Sequence, residues 1–339
     1  MMLHSNVCLE ALAYELPPHV VASSLIYERL APTLKRLGIP AEWLASLSGV
    51  EERRFWDPGT SLADVAARAA RVALDRSGLA PEQIGCVIST SVSKEFLEPS
   101  LACMVHNALG LPEGALNFDI GNACLAFLNG MSLVAQMIDR GQIQAALVVD
   151  AECSRSVSEE TVRRLAGPDI DLAGFSKQFA ALTLGSGAVA AVLTSRSLSR
   201  SSHRVVGHVS LADTRYCNHC IGKATEMITD QTRLMKAGIE LASRTWALAS
   251  RTFGWTRENV TQFICHQVGA MHQKLLFETL GLDPTRAFLT FPFLGNVGPA
   301  SVPLTLAMAA ERGRLHPGDR IALMGIGSGL NCSMMEIVW

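Results

Sequence analysis

Asn117-Phe118-Asp119-Ile120-Gly121-Asn122-Ala123-Cys124-Leu125-Ala126-Phe127-Leu128-Asn129-Gly130 is the stretch from which the rest of the chain can be read. Residues 116–120 are strand-like, a turn of small residues follows, and Cys124 opens an apolar helix pattern carried on by Leu128, Met131, Val134, Ala135 and Ile138. A thiol at the mouth of a helix feels the positive end of the dipole and the free N–H groups there, so its thiolate, the reactive form, becomes easier to make. Taken alone, the same residue also suits a buried cysteine packed as a small hydrophobe.

Outward from this centre the chain alternates strands and helices. On the N-terminal side the pattern predicts a strand over 6–13, a Ser-capped helix over 23–30, and a second short helix that starts at Pro32 and ends at Gly38. An irregular stretch over 42–56 comes next. A long helix capped by Ser61 then runs to Ser77, and a buried strand over 84–91 leads into the loop Val92-Ser93-Lys94-Glu95-Phe96-Leu97-Glu98-Pro99-Ser100 and a helix through Leu109.

On the C-terminal side a buried strand over 145–149 ends in Asp150-Ala151-Glu152, and residues 154–180 form a polar excursion. Leu182-Thr183-Leu184-Gly185-Ser186-Gly187-Ala188-Val189 closes a first half with glycines and then an apolar strand. The order then recurs: strands over 205–211 and 262–265, the latter ending at His266, helices over 235–253 and 300–311, and a strand over 320–324 before Gly325-Ile326-Gly327-Ser328-Gly329 and a last strand. Duplicated strand-helix halves, 1–194 and 195–339, imply an α/β architecture of two parallel-rich sheets stacked around central helices.

Composition fits that frame. Hydrophobic residues make up 49% of the 339 and charged residues 18%, which implies extensive burial and a homo-oligomer interface. A net charge of −2 without a basic stripe argues against a nucleic-acid partner. Nine cysteines without framework spacing read as reduced thiols of a cytoplasmic protein, and Cys217-Asn218-His219-Cys220 lacks the second pair a zinc site needs. No apolar run approaches the length of a membrane span, and no targeting segment is evident.

Four ordered blocks carry a resemblance that spans essentially the whole chain: Asp119-x-x-Asn122-x-Cys124, Ile264-Cys265-His266-Gln267, Gly295-Asn296-Val297-Gly298-Pro299-Ala300-Ser301, and Gly325-Ile326-Gly327-Ser328-Gly329. Together they resemble the thiolase superfamily, in its ketoacyl synthase III-like branch, and within that branch the OleA type, which joins two fatty acyl-CoA molecules head to head. The resemblance implies a thiolase fold, with duplicated βαβαβαββ halves in five layers, αβαβα. It implies that Cys124 is the nucleophile, that His266 and Asn296 hydrogen-bond the thioester oxygen of the second substrate, and that the backbone N–H groups of Cys124 and Ser328 form an oxyanion hole.

The expected reaction is an acyltransferase reaction, a Claisen condensation without decarboxylation. It needs a base for an α-carbon proton, whereas relatives that decarboxylate a malonyl unit on acyl carrier protein need none. The resemblance places that base at Glu98, on a loop that in the family reaches across a homodimer. Two departures from the decarboxylating pattern agree: His266-Gln267-Val268-Gly269 replaces His-Gln-Ala-Asn, and Gly295-Asn296-Val297-Gly298 replaces Gly-Asn-Thr-Ser.

Trp43 matches a tryptophan that stacks on the CoA adenine, but the arginine expected four positions later is Leu47, so the nucleotide is bound differently or the carrier is a protein. Acyl-CoA is expected as substrate, with no resident cofactor or metal. Residues 154–179 and 227–247 are where acyl channels and the dimer interface are expected. A subunit of a hetero-oligomer that lends an interface without chemistry is the reading of another class, and the presence of all four candidates, Cys124, His266, Asn296 and Glu98, argues against it.

Overall fold

The computed structural model describes residues 2–339. Its main sheet has ten strands, nine of them in the order Gln262–Cys265, Arg320–Gly327, Asn331–Val338, Arg204–Ala212, Val7–Glu15, Gly187–Ser195, Ala145–Glu152, Cys86–Ser89 and Leu116–Asp119, with Met2–Leu3 pairing alongside Arg204–Ala212. Two half-sheets meet in its middle, joined through the pair Cys8 and Arg204. The chain passes from one half to the other between Ser195 and Arg204.

Strand alternation shows why the halves stack. In the first half Ile88, Ala146, Val148, Val189 and Ala191 share one core, while Val87, Ala145, Leu147, Val149, Ala190 and Val192 share another. Successive side chains on a strand point to opposite faces, so each half-sheet is buried on both sides. The second half does the same: Ile264, Ile321, Leu323, Met335 and Ile337 join the first core, and Phe263, Cys265, Ala322, Met324 and Met334 a third.

The shared core is filled by the helices Ala126–Asp139 and Ser301–Glu311, and the outer cores by Leu62–Ser77 with Leu101–Leu109 and by Gln231–Phe253 with Ala270–Leu280. The order is therefore helix, sheet, helix, sheet, helix. The difference between layers is legible in the helices. Leu62–Ser77 keeps Asp64, Arg68, Arg71 and Asp75 on an exposed stripe, whereas every residue from Ser301 to Ala309 is buried.

Several expectations need correction. The sheets are mixed rather than parallel-rich: parallel pairing joins Cys86–Ser89 to both its neighbours and Gln262–Cys265 to Arg320–Gly327, and the remaining ladders are antiparallel. The stretch thought irregular contains the helix Ala41–Ser48 and the strand Glu52–Phe55, which pairs with His19–Ala22. Ser23 does not cap its helix but lies inside Ser23–Arg29, where its hydroxyl donates to the carbonyl of Val50 at 2.5 Å. The glycines of Gly325-Ile326-Gly327 continue the strand Arg320–Gly327 instead of ending it. Ser61 does cap its helix, accepting from Asp64 N, and Ser100 caps the next, accepting from Cys103 N.

Candidate active site

Cys124 does not begin the helix. Ala123–Leu125 forms a 3-10 turn that precedes Ala126–Asp139. Ala123 has φ 44°, a left-handed conformation that costs a residue with a side chain energy and persists only where the surroundings impose it. Asn122 imposes it from one side: its Nδ2 donates to Asn129 Oδ1 at 2.7 Å and its Oδ1 accepts from Asn331 Nδ2 at 3.2 Å.

Gly327 imposes it from the other. A Cβ there would stand 3.3 Å from the Cys124 nitrogen and 3.4 Å from Leu125 Cγ, tight enough that a neighbour would have to give by a few tenths of an ångström, so the bare glycine lets the strand end pass close over the nucleophile's amide. Ser328 is the next residue, directly after the strand end that passes the Cys124 amide.

His266 enters along the neighbouring strand. Gln262–Cys265 pairs in parallel with Arg320–Gly327, and His266 N donates to Met324 O at 2.8 Å. Gln267, buried, pins the turn: its Nε2 donates to Cys265 O, and its Oε1 accepts from Thr290 N and Phe291 N. Burial pushes His266 down to about 3, with His272 adding to the shift, so the imidazole is neutral at physiological pH. Its Nδ1 is buried without a partner. The tautomer with the proton on Nε2 therefore leaves no buried N–H orphaned and makes Nε2 a donor.

Asn296 is held by its backbone, which donates to Thr183 O at 2.9 Å and accepts from Gly185 N at 2.9 Å. Its Oδ1 accepts from Gly298 N at 2.9 Å. With the oxygen occupied, the amide NH₂ is the end available to a ligand. The turn Gly298–Ala300 packs against Ala123–Leu125, which in turn packs against Arg320–Gly327. Segments far apart in sequence thus converge on the Cys124 turn.

The electrostatics contradict the expectation of an easily formed thiolate. Burial pushes the Cys124 thiol up to about 12, and the charges of Cys220 and Glu152 push the same way. A helix terminus contributes about 0.3–1 kcal/mol, too little to offset burial of the charged form.

Glu98 lies outside this cluster. Its loop is an arm fixed at both ends: Glu152 accepts from Val92 N and Ser93 N, and Asp119 accepts from Leu101 N and Ala102 N and bridges Lys94. Between these anchors Phe96, Leu97 and Glu98 are exposed, Leu97 completely so. Trp43 is also exposed, on the helix Ala41–Ser48, which packs against Ala270–Leu280 just beyond His266.

Sequence reasoning passed over Gln267, Asn122 with Asn331, and the buried carboxylates Asp150 and Glu152. For the last pair there was a signal: two acids in an otherwise apolar strand run. Among the described residues no group of three or more His, Cys, Asp or Glu could hold a metal ion, and no helix is long and apolar enough to cross a membrane.

Comparison with known proteins places this geometry. Residues 58–164 match the thiolase N-terminal domain, 118–213 match 3-oxoacyl-acyl-carrier-protein synthase III, and 251–339 match the C-terminal domain of that synthase. The fold and the converging segments define a thiolase-like condensing enzyme. The chain is 44% identical to an acyl-CoA:acyl-CoA alkyltransferase of Xanthomonas campestris and 39% identical to one of Shewanella oneidensis, each over the full length of both chains. A crystal structure of cerulenin-bound Xanthomonas OleA superimposes with a TM-score of 0.97, covering 99% of this chain and 98% of that one. A cysteine-to-serine variant of the same relative, with bound lauric acid and lauroyl-CoA, also gives 0.97. This chain belongs to the OleA family of thiolase-fold acyltransferases.

Proposed function

We propose that the protein condenses two fatty acyl-CoA thioesters head to head. Cys124 takes the acyl group of the first, releasing CoA. A carboxylate removes an α-proton from the second, and the enolate carbon attacks the acyl-Cys124 carbonyl. The Cys124 thiolate leaves and is reprotonated, and the product is a 2-alkyl-3-ketoacyl thioester, or its acid after hydrolysis.

Each role follows from chemistry already described. The Cys124 and Ser328 amides would hold the oxyanion of the first carbonyl, and such preorganised donors are worth about 10²–10³ in rate each. Neutral His266 and the Asn296 amide would donate to the enolate oxygen of the second. Glu98 is the base, supplied to the other protomer of a homodimer, and its exposure with Phe96 and Leu97 at the tip of an anchored arm supports that placement. Trp43, exposed near the segment after His266, is where the CoA ring would stack, and Leu47 on the same helix face would pack rather than pair with phosphate.

The observation that carries the reading is the convergence on Cys124 of Gly327, where even a Cβ would crowd its amide, and of the turn that orients Asn296. A second one supports it: the glutamate, cysteine and histidine substituted in solved structures of Xanthomonas OleA are separated by the same intervals as Glu98, Cys124 and His266. Incubation with a long-chain acyl-CoA alone, followed by mass spectrometry, tests it. Condensed product without any malonyl donor is expected, and strict dependence on malonyl thioester would overturn the proposal.

A further inference from the structure

Glu152 is a buried carboxylate that the chemistry above does not use. It ends the strand Ala145–Glu152, where Asp150, on the same face two residues earlier, is also buried. Carboxylates are rarely buried without a partner, and each raises the cost of ionising the other. Burial pushes Glu152 up to about 7 against the pull of the Ser93 and Val92 donors, and it pushes Asp150 up as well. A neutral amide has one acceptor oxygen and would turn its NH₂ toward a donor, so only an acid can accept on both sides here.

The carboxylate faces two functional segments at once. Toward the arm, Oε1 accepts from Val92 N at 2.6 Å, and Oε2 accepts from Ser93 N at 3.1 Å and from the Ser93 hydroxyl at 2.5 Å. The neighbouring residues stitch in step, with Ala151 N donating to Ser91 Oγ at 2.9 Å and Cys153 N to Ser93 Oγ at 3.0 Å. Toward the core, the Glu152 carboxyl carbon lies 3.7 Å from where a Cβ on Gly298 would stand. Gly298 is the residue whose N–H occupies Asn296 Oδ1.

We propose that Glu152 is a positioning residue for carbon–carbon bond formation, setting the root of the Glu98 arm against the Asn296–Gly298 turn so that one carboxylate aligns both. This rests on the reading of Glu98 as the base. Because that base would serve the neighbouring protomer, Glu152 links the donor turn of its own site to the base of the other. A shift of about 1 Å in a positioned catalytic group can cost about 10²-fold, so loss of the anchor should weaken condensation while leaving the acyl transfer to Cys124, which needs no Glu98.

The test separates the two half-reactions in Glu152→Gln, Ser93→Ala, Glu98→Gln and the Glu98→Gln/Glu152→Gln double variant. Acyl-enzyme formation is read as first-turnover CoA release and intact mass, and condensation as product per active site. The expected result for Glu152→Gln is acylation no slower than the parent, since the lost charge opposed the Cys124 thiolate, and condensation down by about 10²-fold, with a smaller loss in the same step for Ser93→Ala. The double variant should lose less than the two single losses multiplied together, because part of the Glu152 effect runs through Glu98. Equal loss of both half-reactions, loss of neither, or additive losses in the double variant would overturn the proposal. Should Glu152→Gln fail to fold, Ser93→Ala, which keeps the carboxylate, gives the same split. Normal condensation in Glu98→Gln would instead sink the reading of the base.

Discussion

The Cys124 centre and the Glu98 arm are built on opposite plans. Around Cys124 the chain itself supplies a strained Ala123, paired asparagines and a strand that ends in glycine, and the adjoining strand leads to an imidazole stripped of charge by burial. The arm is fixed at its roots and by Glu95, which accepts from Leu62 N, and holds apolar Phe96 and Leu97 out beside the acid. A centre that must bind an oxyanion benefits from rigidity, because donors already in place need no reorganisation when charge develops. On the proposed reading, the contrast is between a nucleophile pocket complete within one chain and a base that would be received by another copy.

That contrast is most strongly tested by removing each side separately. Cys124→Ala should abolish acyl-enzyme formation and lower turnover by about 10⁴-fold or more, seen as loss of the CoA burst and of the acyl mass adduct. Turnover that survives would mean that the centre is not where the covalent chemistry occurs. Glu98→Gln should keep the burst and lower condensation by about 10²–10⁴-fold. Mixing Cys124→Ala with Glu98→Gln protomers sharpens the point. Each inactive parent lends what the other lacks, so mixed dimers should regain one working site, whereas no recovery would put the base in its own protomer's pocket.

Gly327→Ala probes rigidity at a smaller scale. The added methyl would press on the Cys124 nitrogen at 3.3 Å and on Leu125, forcing one of them to yield by a few tenths of an ångström. Acylation should fall by about 10²-fold, as measured by burst rate, with the circular dichroism spectrum unchanged. An unaltered burst rate would show that the amide of Cys124 is not held as closely as the backbone implies.

How much of this was legible beforehand differs between the two regions for a physical reason. Strands such as Gln262–Cys265 and helices such as Leu62–Ser77 announce themselves because burial on one or both faces writes a period into the residues. Family-ordered blocks gave Cys124, His266 and Asn296 as candidates, and the structure gathers the segments that carry them. What the sequence could not show was energetic. Proximity to a helix suggests a lowered thiol pKa, but the sign is set by how much surface folding covers, and burial reverses it. The roles of Gln267 and Glu152 were hidden for a similar reason, since their partners, Thr290 with Phe291 and Val92 with Ser93, lie more than twenty and about sixty residues away, and the two acids in an apolar strand run flagged Glu152 without showing what it holds.

The same burial should appear in the acid stability of the protein, an effect smaller than those above but with a definite sign. Burial pushes His272, which lines a small cavity with His266, Cys265 and Met324, down to about 4 from an unfolded value of 6.5. Between those values the unfolded chain binds more protons than the folded one, so stability is complete above pH 6.5 and is lost as the pH falls toward 4. At about 1.4 kcal/mol per unit, His272 alone accounts for roughly 3 kcal/mol of that loss. His272→Gln removes the titration while keeping a side chain of similar size, so denaturant midpoints measured from pH 8 to pH 4 should fall less steeply in the variant. Parallel slopes for variant and parent would mean that the centre admits a proton without opening, and the distinction between its buried imidazoles and the solvent-exposed arm would narrow accordingly.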